Sequence, residues 1–210
     1  MPQEDFEKSV FINCPLDKDY EPILQAILFC IVYLGFNPRL ATERIDSAES
    51  RLAKICSLIE ASKYSIHDLS RCQSTKKNQI SRLNMPFELG IDYGCMKYFG
   101  NGRETKKILI LEEKQFRYRS AISDLAGCDI EFHEADFQKA VRKVRNWLVA
   151  EAGAASKGPA LILARYADFQ EWNYETKLLS GCSEEDIKDY PTKELLDAMK
   201  SWVGMGEPLS

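Results

Sequence analysis

Histidine is scarce in this chain: His67 and His133 are the only two, and neither stands at metal-ligand spacing from a cysteine. The seven cysteines, at 14, 30, 56, 72, 95, 128 and 182, include no C-x-x-C pair. Together these absences exclude the usual zinc motifs, and no metal is expected. No G-x-G-x-x-G and no G-x-x-x-x-G-K-[ST] follows the first apolar segment, which argues against a Rossmann dinucleotide site and a P-loop. A Cys-x5-Arg phosphatase loop is also missing, so Cys14 is a weak candidate nucleophile. Long apolar runs are absent too. The longest, Ala26 to Leu34, falls well short of the ~20 residues that span a bilayer. The opening MPQEDFEKSV is acidic and polar, unlike a signal peptide, so reduced thiols and a cytoplasmic location are expected. A net charge of −4 gives no general pull toward nucleic acid or anionic membrane.

What is present is an alternation. SVFINCP (9–15) reads as a strand ended by proline, followed by a helix over 20–34 that is apolar on nearly every side and stops at Gly35. FNPRLATE (36–43) is a weaker strand whose Pro38 suits an edge. Asp46 and Glu49 form a capping-box-like start for a helix with the stripe Ala48, Leu52, Ile55, Ile59. YSIHDLS (64–70) is a third strand. A helix around Glu88 follows, with Asn84 as its expected N-cap and Pro86 in its first turn. KKILILEE (106–113) is the clearest buried strand, YRSAISDLAG a short helix, DIEFHEA a fifth strand, and 136–151 an amphipathic helix.

The alternation predicts a flavodoxin-like, doubly wound α/β domain with a five-stranded parallel sheet over residues 1–152. After the small-residue joint GAASKGP, residues 153–210 form a helical C-terminal extension. It is expected to cap the sheet, cover a site or mediate self-association.

Ligands of open α/β sheets bind beyond the carboxyl ends of the strands. That rule selects Asn13, Cys14, Pro15, Leu16 and Asp17 after strand one, Thr42, Glu43 and Arg44 after strand two, and Asp68, Ser70 and Arg71 after strand three. The first turns of the Glu88 helix reach the same rim. Glu88 and Asp92, four apart, share a helix face; taken alone, that pair reads as a solvated acidic stripe. Gly90 and Gly94 cost helix stability, and close packing against the sheet or a partner is the expected return. Asp68 at a strand end has capping as its ordinary role, and His67 points to the opposite sheet face. The loop SRCQSTKKNQISR (70–82), with Arg71, Lys76, Lys77 and Arg82, is a candidate phosphate holder or a plain solvated loop.

In order, strand-FINCP-x-Asp, strand-DLS, MPFELGIDYG and KKILIL resemble the nucleoside 2-deoxyribosyltransferase-like and TIR-like superfamily over about residues 8 to 150. The resemblance implies that Glu88 is the catalytic glutamate, with Asp68 as its companion at the site. It also implies that Asn13 and Pro15 line a sugar pocket. Asp17, Thr42, Arg44, Ser70, Arg71, Phe87 and Asp92 complete the expected substrate-binding set, and Phe87 and Tyr93 are expected to wall the glutamate. The substrate implied is a nucleotide or nucleoside small molecule, with no separate cofactor, and a homo-oligomer is expected. NMP before Glu88 and the polar stretch 71–82 differ from deoxyribosyltransferases, which puts cleavage of NAD, by hydrolysis or cyclisation in anti-phage or stress signalling, ahead. Deoxyribosyl transfer and a non-catalytic nucleotide-sensing or assembly domain are the alternatives.

Overall fold

The structure, a computed structural model, describes residues 3–72, 83–120 and 122–209. Lys76, Lys77 and Arg82 of the basic loop lie outside the described residues.

A short helix α1 (Gln3–Lys8) leads into β1 (Ser9–Asn13), and α2 (Glu21–Tyr33) returns the chain to β2 (Asn37–Arg39). Then come α3 (Arg51–Glu60), β3 (Tyr64–Asp68), α4 (Asn84–Tyr98), β4 (Lys107–Glu112), β5 (Glu131–Phe132) and α5 (Phe137–Ala152). All strand pairs are parallel, in the order β2-β1-β3-β4-β5. This is the expected doubly wound, flavodoxin-like sheet. Pro38, which lacks an N–H, sits on edge strand β2, where one side of the strand needs no partner. The chain leaves β1 toward β2 and then crosses back to β3, so the switch point lies at β1.

The two sheet faces are legible in β3. Tyr64 and Ile66 face the large core shared with α2 and α5. His67 faces the other side, where Phe11, Ile55, Leu58 and Ile59 pack beneath α3 and α4.

Several local expectations shift. Helix α3 begins at Arg51 and not after Asp46, because the Asp46 carboxylate accepts from Ala48 N at 2.9 Å and closes its own turn. Asn84 is the first residue of α4 and makes no cap; its side chain bonds Glu88 instead. The expected helix at 118–127 consists of two 3-10 turns, Arg117–Ser120 and Ser123–Gly127. An added Cβ at Gly90 or Gly94 would meet nothing within 4 Å, so these glycines do not bring α4 close to the sheet.

The extension supplies α6 (Pro159–Leu179), α7 (Glu184–Lys188) and α8 (Thr192–Gly204). Ile162, Tyr166 and Phe169 of α6 and Leu196, Met199 and Trp202 of α8 are buried in the same core as α2. This explains the all-round apolarity of α2. One side lies on the sheet and α5, and the other is covered by α6 and α8. Phe29 of α2 is the hub, its ring 5.5, 5.3, 5.5 and 5.8 Å from those of Tyr33, Tyr166, Phe169 and Trp202 respectively. Among the described residues no helix is long and apolar enough to cross a membrane.

Candidate functional site

The buried residues of α4 are Met85, Glu88, Leu89 and Asp92. Their spacing of i, i+3, i+4 and i+7 is that of a core-facing apolar stripe. Two of the four positions carry carboxylates, so the solvated acidic face does not form: Glu88 is 6% exposed and Asp92 0%.

Asp92 has a cationic or hydrogen-bonding neighbour at each oxygen. Its Oδ2 meets His67 Nε2 at 2.9 Å, and its Oδ1 lies 3.1 Å from Lys106 Nζ. The Lys106 ammonium also donates to the carbonyls of Ile59, at 2.8 Å, and of Ser62. Asn13 Nδ2 donates to Met85 O at 2.9 Å, so the amide nitrogen must also be the atom facing His67 Nδ1 at 3.0 Å. His67 Nδ1 therefore accepts, and Nε2–H donates to Asp92. Burial acts to raise the Asp92 pKa, but His67 and Lys106 outweigh it and hold the carboxyl below its usual range. Asp92 is thus an internal tie between α4, β3 and the start of β4, away from the expected substrate contact. Replacing it by alanine strands a buried ammonium and is expected to cost roughly 3–5 kcal/mol. Thermal melts would show the loss, and adding Lys106→Met should recover most of it.

Asp68 is also enclosed. Tyr20 Oη donates to Oδ2 at 2.6 Å, Ser70 N donates to Oδ1 at 2.8 Å, and Ser70 Oγ bonds the same oxygen. His133 Nε2 lies 3.0 Å from Asp68 Oδ2 and 3.0 Å from Ser70 Oγ. Ala135 N donates to His133 Nδ1 at 3.1 Å, so the proton is on Nε2. A serine, a histidine and an aspartate meet here, but both partners sit on one ring nitrogen, which is the wrong connectivity for a nucleophilic triad. The cluster straps β3 to the turn after β5, where Glu134 and Ala135 adopt positive φ of 54° and 56°. Burial acts to raise Asp68, but hydrogen bonds from His133, Ser70 and Tyr20 bring it below the usual carboxylate value.

Asp68 and Asp92 have the same consequence for pH. Each has a folded pKa lowered from 3.8, so its stabilisation is complete above that value and is lost as pH falls through the folded pKa. Acid titration should show stability falling steeply below about pH 4, and Asp68→Asn should flatten that fall.

Glu88 differs from both. Burial raises its pKa, only partly opposed by the charge of Arg51 and the Asn84 hydrogen bond. It lines a small cavity with Asn13, Cys14, Leu16, Thr42 and Arg51. Of the expected site residues, Asn13, Thr42 and Glu88 meet there; Asp68, Asp92, Ser70 and Arg71 do not line it. The cavity measures about 20 Å³, enough for one water. Thr42 Oγ1 is buried without a hydrogen-bond partner among the described residues.

Burial also raises the Cys14 thiol well above its ordinary value, with Asp68, Glu88 and Asp17 adding to it, so it is no thiolate nucleophile. Arg71 lies 3.5 Å from Asp17 and 3.3 Å from Glu113, and Arg44 pairs with Glu49 at 3.1 Å. Phe87 is 57% exposed and Tyr93 52%, so neither walls the glutamate as expected; both lie off the buried stripe of α4. Among the described residues no group of three or more His, Cys, Asp or Glu is placed to hold a metal.

Compared with protein-family models, curated proteins and solved structures, the chain finds no match.

The geometry therefore stands alone. A second, larger cleft of about 630 Å³ adjoins the Glu88 cavity, sharing Leu16 and Thr42 with it and including Pro15 and Asp17. Another of about 680 Å³, beside Phe132 and Lys139, shares no residue with the cavity. Sequence reasoning missed Arg51, Tyr20, Lys106 and His133. Their partners are distant in sequence, and no local signal marks them.

Proposed function

We propose that the protein cleaves the N-glycosidic bond of NAD, with Glu88 as the catalytic carboxylate. The observation that carries this reading is a desolvated glutamate with no ion-pair partner among the described residues, facing a cavity at the carboxyl end of β1. Asp68 and Asp92 have similar burial, but hydrogen bonds and charges consume them. Among the described residues Glu88 has the Asn84 hydrogen bond and the charge of Arg51.

In the reaction the C1′–N bond breaks and its electron pair leaves with nicotinamide, whose ring nitrogen thereby becomes neutral. The ribose carbon acquires positive charge, which the Glu88 carboxylate stabilises or captures as an ester. Water then attacks C1′ and loses a proton to give ADP-ribose, or a nitrogen of the adenine attacks to give a cyclic product. Asn13, held by Met85 O and His67, is placed to position the sugar, and the charge of Arg51 favours the ionised glutamate. Because the cavity admits only a water, productive binding requires Leu16 or the first turn of α4 to move.

That tightness favours one second reading, a nucleotide-sensing or assembly domain that retains the fold without turnover. Chromatographic measurement of nicotinamide released from NAD by wild type and Glu88→Gln separates the two. Release that depends on Glu88 supports the enzyme, and equal behaviour of the two proteins refutes it.

A further inference from the structure

The C-terminal extension does more than cover α2. Its α7–α8 turn forms one wall of the 630 Å³ cleft, opposite the β1–α2 loop. We propose that this cleft binds the adenosine-diphosphate end of a dinucleotide whose reacting ribose reaches Glu88, an inference that rests on the NAD reading above.

Three observations converge on this assignment. The first is size and continuity. The cleft falls within the ~300–1,000 Å³ of ordinary ligand sites. It meets the Glu88 cavity at Leu16 and Thr42, and Thr42 Oγ1, at that junction, is a buried hydroxyl still lacking a partner among the described residues. Leaving such a group unmatched is unfavourable, and a ligand hydroxyl or phosphate crossing the junction would supply the partner.

The second is the lining. Leu24, Leu28 and Leu195 give an apolar floor for a nucleobase, and Tyr190 stands beside it, its ring fixed by Lys177 Nζ at 3.8 Å.

The third is charge. Asp17 shares Arg71 with Glu113, and Glu21 accepts from Gln25 Nε2 at 3.0 Å. Lys18 and Lys188 have no ion-pair partner among the described residues. Glu21, Glu185 and Asp189 outnumber these two lysines, so the empty cleft carries a slight net negative charge. A diphosphate is therefore held by direct contact with the two lysines rather than by a positive field, and the base contributes at least as much as the phosphates.

The test uses the full chain and ADP as probe, with binding measured by calorimetry. Wild type and Glu88→Gln should bind ADP alike. Lys188→Glu should weaken ADP by about tenfold, and Leu195→Trp, which fills the floor, by at least as much. Adenosine should bind more weakly than ADP. Melting curves of each variant confirm that it is folded. If ADP does not bind wild type, binds both variants unchanged, or binds no better than adenosine, the cleft assignment is overturned, even where nicotinamide release proceeds. If ADP binds as described but no NAD is cleaved, the cleft stands and the catalytic reading falls.

Discussion

Glu88→Gln is expected to lower nicotinamide release by roughly a thousandfold while making the protein more stable at pH 7. The two halves of this result have one cause. A carboxylate that is 6% exposed is held in a place where water cannot solvate its charge, and burial raises its pKa. Glutamine keeps the shape and an acceptor oxygen for Asn84 but removes the charge. The sign follows from linkage. With a folded pKa raised above 4.5, the native state holds the proton more tightly than the unfolded chain, so ionisation on raising the pH costs native stability. The stability gained by Glu88→Gln should be present at pH 7 and should vanish below pH 4.5, where both states are protonated. A gain on the order of 1 kcal/mol would appear as about 2–4 °C in a melt of a protein this size. Loss of activity without that pH-dependent gain would mean that Glu88 is solvated and that its part in catalysis, if any, is indirect. A stability gain without any wild-type activity would leave a strained carboxylate with no reaction to explain it, and the sensing reading would take over.

The pH dependence of turnover separates Glu88 from its buried neighbours. The rate should rise with pH as Glu88 ionises, through a pKa above the ordinary glutamate value. Asp68 and Asp92 are ionised well below that range, so their titration affects folding and not the rate profile. A profile that rises at the ordinary 4.5 or lower would remove the desolvated glutamate from the mechanism.

Much of the fold is legible in the sequence because a parallel sheet buried on both faces writes its strands as unbroken apolar runs. SVFIN and KILILE are of that kind. β5 is not: the sequence places a strand at DIEFHEA, but only Glu131 and Phe132 pair, and among such charges its extent is not legible. Strand order has no local signature and rests on fold analogy. At the site, Glu88 is identifiable as a carboxylate among apolar residues, but the sequence does not separate it from Asp92. Both occupy core-stripe positions of one helix, and their different roles come from Lys106 and His67, which reach one of them and not the other. Asp68 illustrates the same limit. Its place at a strand end is readable, whereas its enclosure by Tyr20 and His133 depends on how α2 and the turn after β5 meet. The extension left a trace that a stricter reading would have used. A helix apolar on every side needs cover on every side, and α2 has more apolar surface than a sheet and one helix can bury.

That trace leads to a prediction about stability. Trp202→Ala is expected to destabilise the whole protein by about 3–5 kcal/mol and to lower its melting temperature on the order of 10 °C. Trp202 is fully buried, its ring lies 5.8 Å from Phe29 and 5.9 Å from Phe169, and its Nε1 donates to Pro208 O at 2.9 Å. Removing it opens a cavity beside Phe29, the residue through which α2, α6 and α8 share one core. If the extension were an independent appendage, the damage would be confined to it: a second, lower transition would appear and the sheet would melt as before. A shared core requires a single transition that moves as a whole, with near- and far-ultraviolet circular dichroism losing signal together. The shared core also ties the cleft to stability. The turn that carries Lys188 and Tyr190 is held between α6 and α8, so Trp202→Ala should weaken ADP binding at temperatures where the sheet is still folded. Binding that survives unchanged up to the melting transition would show that α2, and not the extension, supplies the recognition surface.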